Sequence, residues 1–310
     1  MSGVAVALVG ATASGKSALA HATALTDPHW EIVAIDAMTV YRGMDIATAK
    51  ATPAERLDVT YHLLDLVEPD EEFTVADYQR AARRAAEEVW SRGGAVIYVG
   101  GTGLYVRAVL DELEIPGQFA EVRRELEARA AGGEDLYTQL GRVDPVAASR
   151  MESSNLRRVV RALEVTLGSG RPFSSYGPGL STYGPVRVVQ VGLRVPVDEL
   201  DARIERRFRR WMREGLLDEV RRLASAPRGL SRTARQAVGY RQLLAHLEEG
   251  LDLEVAVSTA IAQSRRLARR QRSWFERDPR IEWFDDPADA ARRLTDVLNG
   301  AGGDVRDWLA

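Results

Sequence analysis

The chain has 310 residues, no cysteine, four histidines and a formal net charge of −3. Disulfides and thiolate metal sites are thereby excluded, and no stretch approaches the roughly 20 apolar residues of a membrane span. No basic flank precedes the first apolar run, so the expectation is a cytoplasmic protein with no membrane partner and a core large enough for one α/β domain carrying an insertion, or for two domains.

In chain order, an apolar run at residues 4–10 reads as a buried strand and a helical pattern follows over 17–25. Between them stands Gly-Ala-Thr-Ala-Ser-Gly-Lys-Ser, residues Gly10, Ala11, Thr12, Ala13, Ser14, Gly15, Lys16 and Ser17. These match the phosphate-loop pattern G-x-x-x-x-G-K-[ST] at every fixed position, in its proper strand-to-helix context. Backbone N–H groups at the helix start favour an anion. Lys16 adds a point charge, and the Ser17 hydroxyl is a candidate magnesium ligand. The loop implies a bound diphosphate or triphosphate without naming the reaction.

Further strand-like runs fall at 31–36, 62–67, 95–100 and 186–195, with a helical pattern over 75–92. Alternating strands and helices predict a mostly parallel sheet covered on both faces, with ligands beyond the carboxyl ends of the strands. Asp36 stands at one such end. It reads as a magnesium ligand (direct or through water), as an acceptor of a proton from an attacking nucleophile, or simply as a turn or cap residue. Gly100, Gly101 and Thr102 stand at another end, where glycines allow close backbone approach and Thr102 offers a hydroxyl. A tight turn before a helix explains that stretch equally well.

From residue 116 to 185 helical segments dominate, at 120–131 and 155–167, before a Gly/Pro/Ser/Tyr-rich stretch. The sheet pattern pauses there and then resumes, as it does around an inserted helical subdomain. Between Arg203 and Arg280 the chain holds 19 Arg and no Lys against 10 Asp or Glu. That clustering suggests a polyanionic partner, unless it marks solvated, ion-paired helix faces. Arg residues on successive turns from Arg265 to Arg272 suit phosphate tracking, whereas core packing is the better account of Trp274 and Phe275. Residues beyond 285 read as one amphipathic helix.

The ordered segments GATASGKS, DAMTVYRGMDIATAK, HLLDLVEPDEEFTVADYQ, VGGTGLYVRA, LRRVVRALEV, GLLDEV, RQAVGYRQ and RRQRSWF resemble the bacterial tRNA dimethylallyltransferases, or tRNA isopentenyltransferases, over about residues 4–284. The resemblance implies a P-loop NTPase-like α/β fold: a parallel sheet with helices on both faces, formed by residues 1–115 and 186–310, plus an inserted all-helical subdomain at 116–185. It implies transfer of a dimethylallyl group from dimethylallyl diphosphate to N6 of the adenosine 3′-adjacent to the anticodon, assisted by Mg²⁺. By position Asp36 is the family's general base, Thr102 its threonine near the diphosphate, and Gly10–Ser17 its diphosphate cradle. The anticodon stem-loop of tRNA would meet Asp36, Ala37, Met38 and Thr39, then Arg157, Arg158 and Arg161 on the insertion. It would also meet Gln236, Gly239, Tyr240 and Arg241, and Arg269, Arg270, Gln271 and Trp274. A monomer is expected.

Some positions depart from the family pattern. Ala37 and Thr39 replace the usual Ser and the frequent Gln, and Ala47 replaces the usual Gly, while Ser264, Leu267, Arg269 and Ser273 are near-conservative changes in the C-terminal signature. Ala37 and Thr39 leave open how hydrogen bonds around Asp36 are arranged. Rival readings are a transferase acting on free adenine nucleotides, a P-loop small-molecule kinase, and an RNA-binding protein with an inactive phosphate site. The first would need neither the insertion nor the basic C-terminal third.

Overall fold

A computed structural model describes residues 3–177 and 179–300. The first half alternates as its pattern predicts: β1 (Ala5–Val9), α1 (Lys16–Ala24), β2 (Trp30–Ile35), α2 (Pro53–Asp58), β3 (Tyr61–His62), α3 (Val75–Ser91), β4 (Ala95–Gly100) and α4 (Gly103–Leu110). Helices α5 (Ala120–Ala131), α6 (Leu136–Val143), α7 (Pro145–Ser149) and α8 (Leu156–Ser169) follow. The chain then runs through β5 (Val189–Leu193), α9 (Val197–Arg213), α10 (Leu216–Ala224), α11 (Tyr240–Glu249), α12 (Leu253–Phe275), β6 (Ile281–Phe284) and α13 (Pro287–Leu298).

The six strands form one sheet in the order β3-β2-β4-β1-β5-β6, every pair parallel. Because successive strand residues face opposite sides, β1 divides its apolar residues between two cores. Ala5, Ala7 and Val9 face a core shared with α3, α4 and the C-terminal helices, including Tyr78, Val106, Phe208, Tyr240 and Ile261. Val6 and Leu8 face the other, closed by Ala20 and Ala24 of α1 and by Ala290, Leu294, Val297 and Leu298 of α13. Burial on both faces explains why β1 and β4 are apolar throughout rather than alternating.

Two expectations need correction. The strand foreseen over 62–67 ends at His62, since Leu63 and Asp65 take left-handed φ values of 65° and 54° that no strand accommodates. Only Val67 touches strand geometry, in an isolated bridge to Tyr41. Conversely, β6 lies where no strand was foreseen. Its four residues pair with β5 from Gln190↔Ile281 to Leu193↔Phe284.

The chain divides into two compact units, one taking in the chain up to Asp111 and from Pro185 onward, the other Glu112–Gly184. The second holds α5 to α8 around its own core, with Leu126, Leu136, Leu140, Val160 and Leu163 buried. Two buried carboxylates tie it together. Glu164 accepts from the Phe119 N–H at 2.9 Å and from Arg161 at 2.9 Å. Asp144 caps α7 through the Ala147 N–H at 2.9 Å and accepts from the N–H and hydroxyl of Ser174 at 2.8 and 2.7 Å. Among the described residues no helix is long and apolar enough to cross a membrane.

Candidate active site

The register of the sheet decides what meets at its carboxyl edge. Gly100 of β4 lies opposite both Val9 of β1 and Ile35 of β2. The next residue of each strand therefore emerges side by side: Gly10 opens the phosphate loop, Gly101 leads to Thr102, and Asp36 begins the segment after β2. Neighbouring strands are about 4.8 Å apart, so these three starts lie within about 10 Å of one another.

The phosphate loop folds as its motif requires. Gly15 caps α1 at a left-handed φ of 98°, and no side chain caps the helix. Its first-turn N–H groups thus remain available to an anion. Ala13 also takes a left-handed φ, 65°, a strain of the kind that collects at ligand-binding loops. Lys16 Nζ donates to the Ala11 carbonyl at 3.2 Å. Burial and the nearby Arg207 pull its pKa down to about 8, and Asp36 partly offsets that fall. The Ser17 side chain is exposed and has no hydrogen-bond partner among the described residues.

Two C-terminal helices brace this loop. Arg207 of α9 donates to the Thr12 hydroxyl at 2.6 Å and stacks 4.6 Å from the centre of the Trp211 ring. Arg203, one turn earlier, donates to the Ser14 carbonyl at 3.4 Å. Gln271 of α12 accepts the Thr12 N–H at 2.8 Å. Burial and Arg210 lower the Arg207 pKa to about 10. Neither α9 arginine was singled out from the sequence, where arginines four apart on a helix look like an ordinary solvated face. A spacing that places both beside one target was the only available signal.

Beyond β4, Thr102 is the N-cap of α4, yet its side chain accepts no capping bond. Its hydroxyl has no partner among the described residues. The glycines around it admit α12. A Cβ on Gly101 would lie 2.9 Å from Gln271 Nε2 and 3.3 Å from Lys16 Nζ, and one on Gly103 would lie 2.2 Å from the Trp274 ring. Trp274 is accordingly packed against α4, as an ordinary core contact would be.

Beyond β2, the Asp36 N–H donates to the Tyr78 hydroxyl at 3.1 Å, and Asp36 Oδ1 accepts from the Met38 N–H at 2.8 Å. Oδ2 has no partner among the described residues. Tyr78 in turn donates to the Ala34 carbonyl. Burial and Asp36 raise the Tyr78 pKa well above its ordinary value, so its hydroxyl keeps its proton. Thr39 is buried, its hydroxyl 3.5 Å from the Asp36 carbonyl, while Ala37 and Met38 are half-buried.

The remaining expected RNA contacts separate into exposed and enclosed groups. Arg157 and Arg158 are exposed on the first turn of α8, and Gln236, Arg241 and Arg270 are exposed on the larger unit. Arg161 is turned onto its own unit, donating to the carbonyls of Pro116 and Gly117 at 2.9 and 3.1 Å as well as to Glu164. Arg269 is exposed but paired with Asp201 at 2.6 Å. Tyr240 corrects the expectation: it is fully buried and its hydroxyl donates to Glu219, so it offers RNA no surface. Gly239 is enclosed with it, its Cβ position 3.3 Å from Phe208. Among the described residues no three His, Asp or Glu side chains gather closely enough to hold a metal by themselves.

The sequence profile described as IPP transferase matches residues 39–278. A tRNA dimethylallyltransferase of Acidothermus cellulolyticus is 48% identical over 309 residues, covering 98% of this chain and 94% of its own. That of Kineococcus radiotolerans is 46% identical over 307 residues, with 94% and 96% covered. The crystal structure of the full-length tRNA isopentenylpyrophosphate transferase from Bacillus halodurans superposes with a TM-score of 0.69 at 35% identity, covering 96% of each chain. With most of its length matched by the profile and nearly all of it by these relatives, the chain belongs to the IPP transferase family, that of the tRNA dimethylallyltransferases.

Proposed function

We propose that the protein transfers a dimethylallyl group from dimethylallyl diphosphate to N6 of the adenosine 3′-adjacent to the anticodon of tRNA and releases diphosphate. One observation carries this reading: Lys16, Thr102 and Asp36 stand at the carboxyl ends of three adjacent strands, an anion cradle at one side and a carboxylate at the other. The Gly10–Ser17 backbone, Lys16, Arg203 and Arg207 take up the charge that develops on the departing diphosphate. The free oxygen of Asp36 receives a proton from the adenine amine as the nitrogen–carbon bond forms and the carbon–oxygen bond breaks. Thr102, its hydroxyl unspent, lies between them and orients the reacting groups. β4 ends at Gly100 and is followed by Gly101-Thr102, without the carboxylate that phosphoryl-transfer enzymes use to hold their metal there.

Magnesium fits this site only with the substrate's help. Ser17 would supply one protein oxygen, leaving diphosphate oxygens and water to provide the others that this cation prefers. Bound there, it would add positive charge beside the leaving group. The exposed Arg157 and Arg158 of the helical insertion, and Arg241, Arg266 and Arg270 of the larger unit, are among the side chains that would meet the tRNA backbone. Each chain carries Lys16, Asp36 and Thr102 itself, so a monomer suffices, and the tRNA acceptor places the reaction in the cytoplasm.

The test is to incubate the protein with dimethylallyl diphosphate, Mg²⁺ and unmodified tRNA and to analyse the nucleosides by mass spectrometry. Isopentenyladenosine is expected from tRNA and from an anticodon stem-loop but only in traces from AMP. Equal use of AMP would point to a free-nucleotide transferase, and no product from any acceptor would refute the reading. Asp36→Asn should lower turnover by about 10²–10⁴-fold, the usual contribution of a positioned base, with tRNA affinity unchanged.

A further inference from the structure

The segment from Asp36 to Lys50 links the base end of the site to the rest of the fold without a single helix or strand of its own. Its backbone polar groups must find partners elsewhere. Near its start, residues 39 to 42 lie along residues 65 to 67: Asp65 N–H donates to the Thr39 carbonyl at 3.2 Å, Val67 N–H to Val40 at 3.1 Å, and Arg42 N–H to Val67 at 2.9 Å. Its far half is held by side chains.

Glu219 of α10 is the main one. It is 8% exposed, and its carboxylate receives the Asp45 N–H at 3.1 Å, the Ile46 N–H at 3.1 and 3.2 Å, and the Tyr240 hydroxyl. One turn on, Arg222 donates to the Gly43 carbonyl at 3.2 Å. One face of α10 thus accepts from the segment's N–H groups and donates to its carbonyl. Lys50 completes the fastening from a fully buried position, with Nζ 2.7 Å from the Tyr41 carbonyl, 2.7 Å from Asp65 and 2.7 Å from Asp45. Asp45 is therefore gripped twice, through its N–H by Glu219 and through its carboxylate by Lys50.

We infer that Glu219 is a positioning residue for the transfer: it holds the segment that presents Asp36, Ala37, Met38 and Thr39 to the acceptor base, an inference that rests on the proposed reaction. The phosphate loop hangs from β1 and α1 instead, so the two substrates respond differently to its loss. Removing the carboxylate leaves two backbone donors and a tyrosine hydroxyl without a partner, and the segment gains freedom at Asp36. A shift of about 1 Å at a reacting group costs up to about 10²-fold in rate.

Glutamine is the informative replacement. Its amide oxygen accepts both N–H groups while its NH₂ donates to the Tyr240 oxygen; the reversal leaves the tyrosine proton and one amide hydrogen without their former acceptor but keeps the grip on the segment's backbone. Aspartate keeps the charge but stops a methylene short.

The experiment measures kcat, KM for each substrate, and amide hydrogen exchange across residues 37–50 in wild type, Glu219→Gln, Glu219→Ala and Glu219→Asp. Glu219→Gln is expected within about 3-fold of wild type. Glu219→Ala and Glu219→Asp should fall about 10–100-fold in kcat, with KM for dimethylallyl diphosphate within about 2-fold and faster exchange at 37–50. If Glu219→Ala does not fold, Glu219→Asp carries the comparison. Wild-type exchange and kcat in a folded Glu219→Asp protein would overturn the inference, as would a Glu219→Gln protein as impaired as Glu219→Ala. If wild type makes no isopentenyladenosine at all, the proposed reaction fails, and the exchange rates still decide whether Glu219 anchors the segment.

Discussion

Held beneath the phosphate loop, Lys16 is kept as a cation only at some cost, for burial and Arg207 bring its pKa from 10.5 to about 8. The folded, ligand-free protein therefore releases this proton through pH 8, whereas the unfolded chain keeps it to about 10.5. Between those values the unfolded state binds more protons, so the Lys16 contribution to stability rises with pH. Affinity for an anionic diphosphate runs the other way and falls above about pH 8. Lys16→Met removes the titration. Relative to that variant, wild type should gain in Tm between pH 7 and 9.5, while the variant loses diphosphate binding without losing stability at pH 7. A Lys16→Met protein that melts several degrees lower at pH 7 would contradict this. Lys16, Ser17 and Asp36 could be singled out beforehand because a phosphate loop and a strand end are local patterns. Arg207 and Glu219 could not, since each meets a loop more than 170 residues away and nothing in its own neighbourhood distinguishes it from a surface charge; Gln271 was expected to meet tRNA, yet its side chain is turned to the phosphate loop.

At the scale of elements, α12 is divided between two tasks. Its inner face sends Gln271 to the phosphate loop and Trp274 onto Gly103, while Arg266 and Arg270 stand exposed on the other. Gly103→Ala would drive a methyl group into the Trp274 ring. A loss of about 1–3 kcal/mol in stability is expected, the usual cost of overpacking, together with slower transfer as Gln271 shifts; an unchanged melting curve would show that the ring yields freely. On the outer face, Arg266→Gln with Arg270→Gln should make the salt dependence of tRNA binding shallower, by about 0.7–0.9 in log–log slope for each phosphate no longer neutralised. An unchanged slope would assign those arginines to solvent alone. The long periodic helix α3 was legible to within about a residue because its amphipathic stripe repeats many times. β6 was not: Ile281-Glu-Trp-Phe284 has four residues, and its strand character comes from β5, where Gly192 makes room for the Trp283 ring. Residues 63–66 failed in the opposite sense. Their Leu content suits a strand, but Asp65 turns left-handed to meet Lys50 and Arg56.

At the scale of the molecule, the sheet gathers strands from both ends of the chain, and α1 shares its core with α13. Alternation of strands and helices was enough to foresee a parallel sheet, but not which strands would be neighbours, because order in a sheet is decided by crossovers rather than by local pattern. A chain ending at Pro279 would lack β6 and α13, leaving one edge of β5 unpaired and Ala20, Ala24 and Leu8 without Leu294 and Leu298. Circular dichroism melting of that truncated protein should show no cooperative transition; a sharp one would mean that the remaining core is sufficient. The central place of β1 also has a consequence in time. Its partner β5 begins 180 residues after Val9, and at about 5–20 residues per second a ribosome takes about 9–36 s to make them. For that interval the nascent chain exposes one flank of its most apolar strand, an interval in which a chaperone competes with aggregation.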